Sequence, residues 1–394
     1  MANVLLTWEL GGGRGHLYCL LPLARALASA GHSVFLALRD LSRAHRIYAS
    51  VRAQCFQAPF KAKRAASPIE PSRSFAHLLH NTGFDDADDL TRRVKDWRSL
   101  YDRIRPALII FDHSPTALLA ARGVPAKRAI VGVGFTCPTD EYPLRDLQSW
   151  LPGEPDKMRR DEDRVLANVN RVLAAWGQPP LERLAELYAD VEDTFVCTFE
   201  ELDPYASRRE TEYYGVCSET RGKAPVWPDA GGKLVFAYLK PFPGLPKVLA
   251  TLQRLSCSTL VVGDGLDADL QQRFQSRNLH FEHDMVDLLQ AAKICDLAVL
   301  NGGHGTTATM LLAGKPILQL PLVLEQVLNS RAVARLGAGL AVPVARLDQI
   351  PQQFHTLLSS NTFGKAAARF AKKYAHVDPK IQIARLLDRI LQVL

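Results

Sequence analysis

One order repeats along this chain and restricts its fold more than any other feature: a short apolar run, a glycine-bearing turn, an apolar stripe at helical spacing, and another apolar run. "NVLLTW" ends in a glycine cluster, Leu17, Leu20, Leu21, Ala24, Leu27 and Ala28 follow at helical spacing, and Gly31 stands at a helix C-cap before "GHSVFLAL". The order returns as "ALIIFD", "SPTALLAARG" and "AIVGVG". In the second half it returns as "KLVFAYL", "STLVVG", "LAVLN", a helix after residues 302–305, and "PILQLP". Strand, helix and strand at this spacing make parallel sheets with right-handed crossovers, so both halves are predicted to be Rossmann-like α/β domains.

A length of 394 residues suits two domains or three, and 47% hydrophobic with 23% charged residues excludes a disordered chain. The predicted boundaries are a first domain over 1–216, a Gly- and Pro-rich linker over 217–232, a second domain over 233–380, and an amphipathic helix over 381–394 that packs back on the body. Residues 141–190 read as a helical excursion on the first domain, and "DDADD" at 85–89 as a solvated loop or helix start. No internal repeat of fixed period is visible.

No uncharged apolar run of about 18 residues occurs, and the N-terminus lacks the pattern of a signal peptide. Seven scattered cysteines without a C-x-x-C pair indicate neither a disulfide framework nor a zinc knuckle, so a reducing cytoplasm is expected. The net charge of +7 leaves an anionic partner open. Arg39, Arg43, Arg46, Arg52, Lys61, Lys63, Arg64 and Arg73 face only Asp40 and Glu70 between positions 39 and 73. That segment is either a solvated surface or a patch for a membrane or an acceptor.

A strand that ends in glycines and opens a helix aims backbone N–H groups and the positive end of the helix dipole at one spot, where anions bind. In "NGGHGTTATMLLAGKP", residues 301–316, Gly302, Gly303 and Gly305 permit close backbone approach. Thr306 and Thr307 are expected to cap the helix and donate hydroxyls, and His304 to add a cation or a hydrogen-bond donor. The plainer alternative is a tight turn with a threonine N-cap.

The first cluster, "GGGRGH" at 11–16, departs from the dinucleotide fingerprint, because His16 stands where G-x-G-x-x-G needs its third glycine. The nearest acidic residue on the following strand, Asp40, is also too distant, which makes an NAD enzyme the weaker reading. A histidine at the mouth of a parallel sheet, beside the flexible loop of Gly13, Arg14 and Gly15, suits general-base work near neutral pH. Asp112, at the end of "ALIIFD", is the candidate that orients its imidazole; alternatively Asp112 caps the turn before "SPTALL", and His113 is a rival partner.

With these residues in view, "GGGRGHLYCLLPLARALASAGHSV" resembles the N-terminal signature of GT-B glycosyltransferases. The likeness is to the UDP-glucuronosyl and UDP-glucosyl transferase type (glycosyltransferase family 1) and its bacterial macrolide-type relatives. "NGGHGTTATMLLAGKPILQLPLVLEQVLNSRAVARLGAGLAV", residues 301–342, is similar to the donor-binding signature of that family, whereas 40–105 and 140–215 match nothing specific. The resemblance implies a GT-B fold, two Rossmann-like domains with parallel sheets facing across a cleft. It implies His16 as the base and Asp112 as its orienting partner. For the donor, it implies a site that includes Asn301 and His304, with diphosphate contacts at Gly302, Gly303, Gly305, Thr306 and Thr307, sugar contacts at Glu325 and Gln326, and base contacts around Met285.

The implied activity is inverting, metal-independent hexosyl transfer from a UDP- or TDP-sugar to a hydroxyl of a small molecule, glycan or lipid. No cofactor and no nucleic acid partner are expected, and a peripheral membrane contact rests only on the basic 39–73 segment. The D-x-D triplets Asp86–Asp88, Asp161–Asp163 and Asp267–Asp269 lie in charged surroundings and are not read as metal ligands. The family's His is Asn301 here, its proline after the base is Cys19, and Glu9 with extra glycines precedes His16. Asn301 and Cys19 motivate a non-catalytic nucleotide-sugar-binding protein as the alternative, with a nucleotide-sugar epimerase of the same fold as a further one.

Overall fold

Twelve strands fall into two parallel sheets of six in the protein's structure, a computed structural model that describes residues 1–205, 208, 211–216 and 222–394. The first sheet holds β1 (Asn3–Trp8), β2 (Ser33–Leu38), β3 (Ala53–Gln57), β4 (Leu108–Asp112), β5 (Lys127–Gly132) and β6 (Asp193–Val196), in the order β3-β2-β1-β4-β5-β6. The second holds β7 (Lys233–Tyr238), β8 (Cys257–Val262), β9 (Leu279–Glu282), β10 (Leu297–Leu300), β11 (Ile317–Gln319) and β12 (Gly339–Ala341), in the order β12-β11-β10-β7-β8-β9. Both sheets therefore have the doubly wound order, in which the chain reverses direction across the sheet between its first and fourth strands. Ligands of such sheets bind at the carboxyl ends of the strands beside that reversal.

The strands are buried on both faces, as parallel strands flanked by helices must be. In β1, Val4 and Leu6 join one core cluster and Leu5 the opposite one; in β4, Leu108 and Ile110 alternate with Ile109 and Phe111 in the same way. The helix Gly15–Ser29 buries Leu17, Leu20, Leu21, Leu23, Ala24 and Leu27 on the first of these clusters. It ends at Gly31, whose φ of +87° lets His32 N–H reach Leu27 O at 3.1 Å and Gly31 N–H reach Ala28 O at 3.1 Å. That is a Schellman closure, which needs a left-handed residue at this position.

The chain divides into two compact units, Met1–Ser218 with Pro379–Leu394, and Glu219–Asp378. The terminal helix spans Pro379–Val393 and gives Leu386 and Ile390 to the core cluster of the first unit. The stretch expected as a linker is shorter than its composition suggests. Residues 217–221 lie outside the described residues, and from 222 onward the chain is packed on the second unit. There Lys223 N–H donates to Met285 O at 2.7 Å, Asp287 N–H to Lys223 O at 2.8 Å, and Trp227 Nε1–H to Val235 O at 3.1 Å.

The charged excursion contains the helix Pro155–Ala175. The acidic run opens the helix Ala87–Ile104, where Asp86 accepts from the N–H groups of Asp88 and Asp89; Asp267 accepts from Asp269 and Leu270 at the helix Ala268–Phe274 in the same way. In the basic 39–73 segment, several cations are held by partners nearby. Arg39 donates to Glu9 O at 2.9 Å and lies over Phe60, Lys61 pairs with Asp85 at 2.8 Å, Arg64 pairs with Glu70 at 3.4 Å, and Arg73 pairs with Asp146. Four of its eight cations thus have partners within the first unit. Among the described residues no helix is long and apolar enough to cross a membrane, and six cysteines are free thiols; Cys217 lies outside the described residues.

Candidate functional site

In the first unit, the reversal point of the sheet joins the two residues expected to act together. Trp8 and Asp112, the last residues of β1 and β4, stand opposite each other in register. His16 is the second residue of the helix that follows β1, and side chains there lean back toward the helix N-terminus. Its ring stacks on Trp8, with centroids 5.1 Å apart, and its Nδ1 lies 2.8 Å from Asp112 Oδ2. A carboxylate only accepts, so Nδ1 carries the proton in this bond and the neutral ring keeps its lone pair on Nε2. The His16 side chain is 21% exposed and that of Asp112 4%, so a reachable ring is held by a shielded partner.

Nε2 lies beside Gly11, where an added Cβ would come within 2.8 Å of it. Gly11 also has a φ of +80°, so glycine is required here for conformation as well as for space. His113 stacks on the other side of His16 at 6.1 Å, within an aromatic wall that includes Phe75 and Phe135. Burial first, with His16 and Arg39 adding to it, pushes the His113 imidazole down to about 3. His113 is therefore neutral at physiological pH, and Asp112 is the residue that holds the Nδ1 of His16.

Asp112 does not cap the helix Pro115–Ala120. That cap is Glu9, whose Oε2 accepts from the N–H groups of Thr116 at 2.9 Å and Ala117 at 3.3 Å. Glu9 is fully buried, and burial pushes its carboxyl up to about 7 against the opposing pull of Arg93 and the two amides. Sequence reasoning noted Glu9 only as an oddity of the first loop, because a cap supplied from more than 100 positions away leaves no local signature.

In the second unit, the turn after β10 divides its residues between an inner and an outer side. Asn301 is buried, accepting from Lys240 N–H at 2.7 Å and donating to Leu320 O at 2.9 Å. It thereby ties the loops after β7, β10 and β11 together at this sheet's reversal point. Gly302, with a φ of +86°, gives its carbonyl to Asn329 Nδ2 at 2.9 Å, and an added Cβ would meet Gln326 O at 3.1 Å. Thr307 is fully buried and accepts from Gln319 Nε2 at 3.0 Å. Gln326 accepts from Leu322 N–H at 2.7 Å through Oε1. These four residues build the turn.

Of the two roles expected of His304, a cation or a hydrogen-bond donor, its surroundings favour the donor. It is buried, and desolvation pushes its imidazole down to about 4, so the ring is neutral. Neither threonine caps the helix His304–Leu312; its N-cap is Gly303, without a side-chain bond. The outer side consists of exposed Gly303 and half-buried Gly305 and Thr306, and both glycines have open space where a Cβ would stand. The first intrahelical bond here is Thr307 N–H to Gly303 O at 3.1 Å, so the amides of Gly305 and Thr306 precede it and point out of the helix end. Oriented amides at a helix N-terminus suit a phosphate.

Glu325 is half-buried in the first turn of the helix Leu324–Arg335. Met285 follows β9, which β7 and β8 separate from β10, and its carbonyl accepts from Lys223. Of the first loop, Gly13 has a φ of +94°, and Arg14 and Gly15 lead directly into the helix that carries His16.

The role of Asn301 gives a direct expectation. Asn301→Ala leaves a backbone donor and a backbone acceptor without partners, which costs about 2 kcal/mol. For a unit of this size, the thermal midpoint falls by roughly 4 to 8 °C. An unchanged midpoint in calorimetry would remove Asn301 from this structural role.

Comparison with known proteins adds the lineage. The family model of the glycosyltransferase family 28 C-terminal domain matches residues 246–380. The PGL/p-HBAD biosynthesis rhamnosyltransferase of Mycobacterium bovis (strain BCG / Pasteur 1173P2) is 30% identical over 201 residues, 48% of this chain and 44% of that protein. This chain thus matches less than half the length of that relative. Among solved structures, the calicheamicin glycosyltransferase CalG4 superposes with a TM-score of 0.73 at 18% identity, covering 100% of this chain and 98% of the other. The spinosyn rhamnosyltransferase SpnG, complexed with thymidine diphosphate, superposes with a TM-score of 0.67 at 17% identity, covering 98% and 100%. Residues 246–380 are thus similar to a glycosyltransferase family 28 C-terminal domain, and the chain as a whole has the GT-B fold of these solved structures.

Proposed function

We propose that this protein is an inverting glycosyltransferase that moves a sugar from a TDP- or UDP-sugar to an acceptor hydroxyl, with His16 as general base. The observation that carries the proposal is the 2.8 Å contact between His16 Nδ1 and Asp112 Oδ2, which leaves Nε2 as the basic nitrogen. Nε2 takes the proton of the acceptor hydroxyl as its oxygen forms a bond to the anomeric carbon. The bond from that carbon to the diphosphate breaks on the opposite face, and the configuration inverts. Asp112 stabilises the imidazolium.

The departing diphosphate falls to the outer side of the 301–307 turn. There the amides of Gly305 and Thr306 supply the charge stabilisation that a cation supplies in other transferases. Thymidine diphosphate in the related SpnG favours TDP among donors, and the name of the mycobacterial relative favours a deoxyhexose such as rhamnose. The reading as a non-catalytic binding protein leaned on Asn301 and Cys19, and the two backbone bonds of Asn301 give that residue a structural purpose.

The donor site is tested with Gly303→Asp. An aspartate at this N-cap suits the helix, so the unliganded protein keeps or gains stability. The same carboxylate repels a diphosphate. TDP at about 100 times its Kd adds roughly 2.7 kcal/mol, a rise of several degrees in the wild-type midpoint, and the variant loses that rise. An equal rise in both proteins would place the nucleotide elsewhere.

A further inference from the structure

We propose that Glu9 is a positioning residue for the His16–Asp112 pair, acting as a clasp that fixes the loop after β1 to the loop after β4. This rests on the reading of His16 as the base and deepens it. Four bonds of residues 9 and 10 make the clasp. The Glu9 carboxylate holds the first amides of the helix Pro115–Ala120, Thr116 and Ala117. Leu10 N–H donates to His113 O at 3.0 Å, directly after Asp112. Arg39, from the end of β2, donates to Glu9 O at 2.9 Å.

Asp112, at the end of β4, and His16, in the helix after β1, thus adjoin two loops whose spacing is set next door. His113, directly after Asp112, has a φ of +46°, a left-handed conformation that a non-glycine residue keeps only where its surroundings enforce it. The bond from Leu10 to the His113 carbonyl and the cap on the following helix are such an enforcement.

The carboxylate is also poised to change charge. Oε1 is buried without a hydrogen-bond partner, and its nearest cation, Arg93 Nη1, is 3.9 Å away. Arg93 is divided among other partners: it donates to Thr116 Oγ1 at 2.7 Å and to Gly83 O, and it pairs with Asp89 at 3.4 Å. The other titratable groups that feel Glu9 are Arg39, Tyr101 and Tyr188. Burial keeps the carboxyl protonated to about pH 7, so below that pH its cap is a neutral one and above it a charged one. A charged acceptor binds helix amides more strongly than a neutral one.

The test uses Glu9→Gln and Glu9→Ala in the full chain. Glutamine keeps the neutral cap and loses the ionisation. We expect its kcat to equal wild type at pH 6 and to fall about tenfold at pH 8, with KM for the donor unchanged and one ionisation missing from the pH profile. Alanine loses the cap, so kcat falls about tenfold or more at both pH values. In the unliganded protein, the Nδ1–H proton resonance of His16 shifts or broadens with it. A Glu9→Gln enzyme with the wild-type profile at both pH values overturns the proposal. So does a folded Glu9→Ala protein with the wild-type His16 resonance. If His16→Ala keeps full turnover while Glu9→Ala still perturbs the resonance, the base reading fails and the clasp stands.

Discussion

His16→Ala lowers kcat by about 10²- to 10⁴-fold, the usual contribution of a positioned acid-base group. The reason is specific to this ring. Asp112 occupies Nδ1, so the proton of the acceptor has Nε2 as its destination, and alanine removes that destination. The donor turn is built from residues of the other unit and His16 is not among them, so the dissociation constant for TDP, measured by titration calorimetry, is expected to stay within about twofold. His16 also fills space against Trp8, and a thermal midpoint for the variant separates loss of chemistry from loss of fold. A variant with wild-type kcat and an intact fold would leave the dyad without a catalytic role.

Asp112→Asn keeps size and shape and removes charge. If the amide oxygen accepts from Nδ1–H, the ring keeps its tautomer and loses only the anion that stabilises the imidazolium. A hydrogen bond to a charged group contributes about 1.5 to 3 kcal/mol, so kcat falls roughly 10- to 150-fold. If the amide turns and donates to Nδ1, the ring proton moves to Nε2 and the base is lost, which brings the variant down to the level of His16→Ala. Both outcomes share one consequence. The double variant is no slower than His16→Ala alone, because Asp112 acts through His16 and groups that act as a unit are not additive. A further tenfold loss in the double variant would give Asp112 a separate function.

Much of this architecture is legible in local patterns. Apolar runs ending in glycine mark where β1 and β10 stop, and Leu17, Leu20, Ala24 and Leu27 mark the buried side of the helix between β1 and β2. His16 and Asp112 are legible for the same reason: each stands at the carboxyl end of a strand, where parallel sheets expose their chemistry. The side chains of the 301–307 turn are harder to read, because sequence orders residues along a turn without saying which side they face. Thr306 and Thr307 are adjacent, yet one is half-buried and the other has no exposed surface. His304 looks like a cation until burial removes its charge. Asn301 stands where the resembled signature has histidine, and the positions of Lys240 N–H and Leu320 O give it a purpose that the sequence does not show. Glu9 is the extreme case, since its partners are Thr116 and Ala117, far along the chain.

The account stands most directly on the stereochemistry of the sugar. A TDP-hexose of defined anomeric configuration, incubated with the protein and an alcohol-bearing acceptor, is followed by proton NMR at the anomeric position. The account predicts a glycoside of opposite configuration to the donor, one TDP released for each glycoside formed, and neither with His16→Ala. A glycoside of retained configuration, or isomerisation of the TDP-hexose without any acceptor, would contradict it.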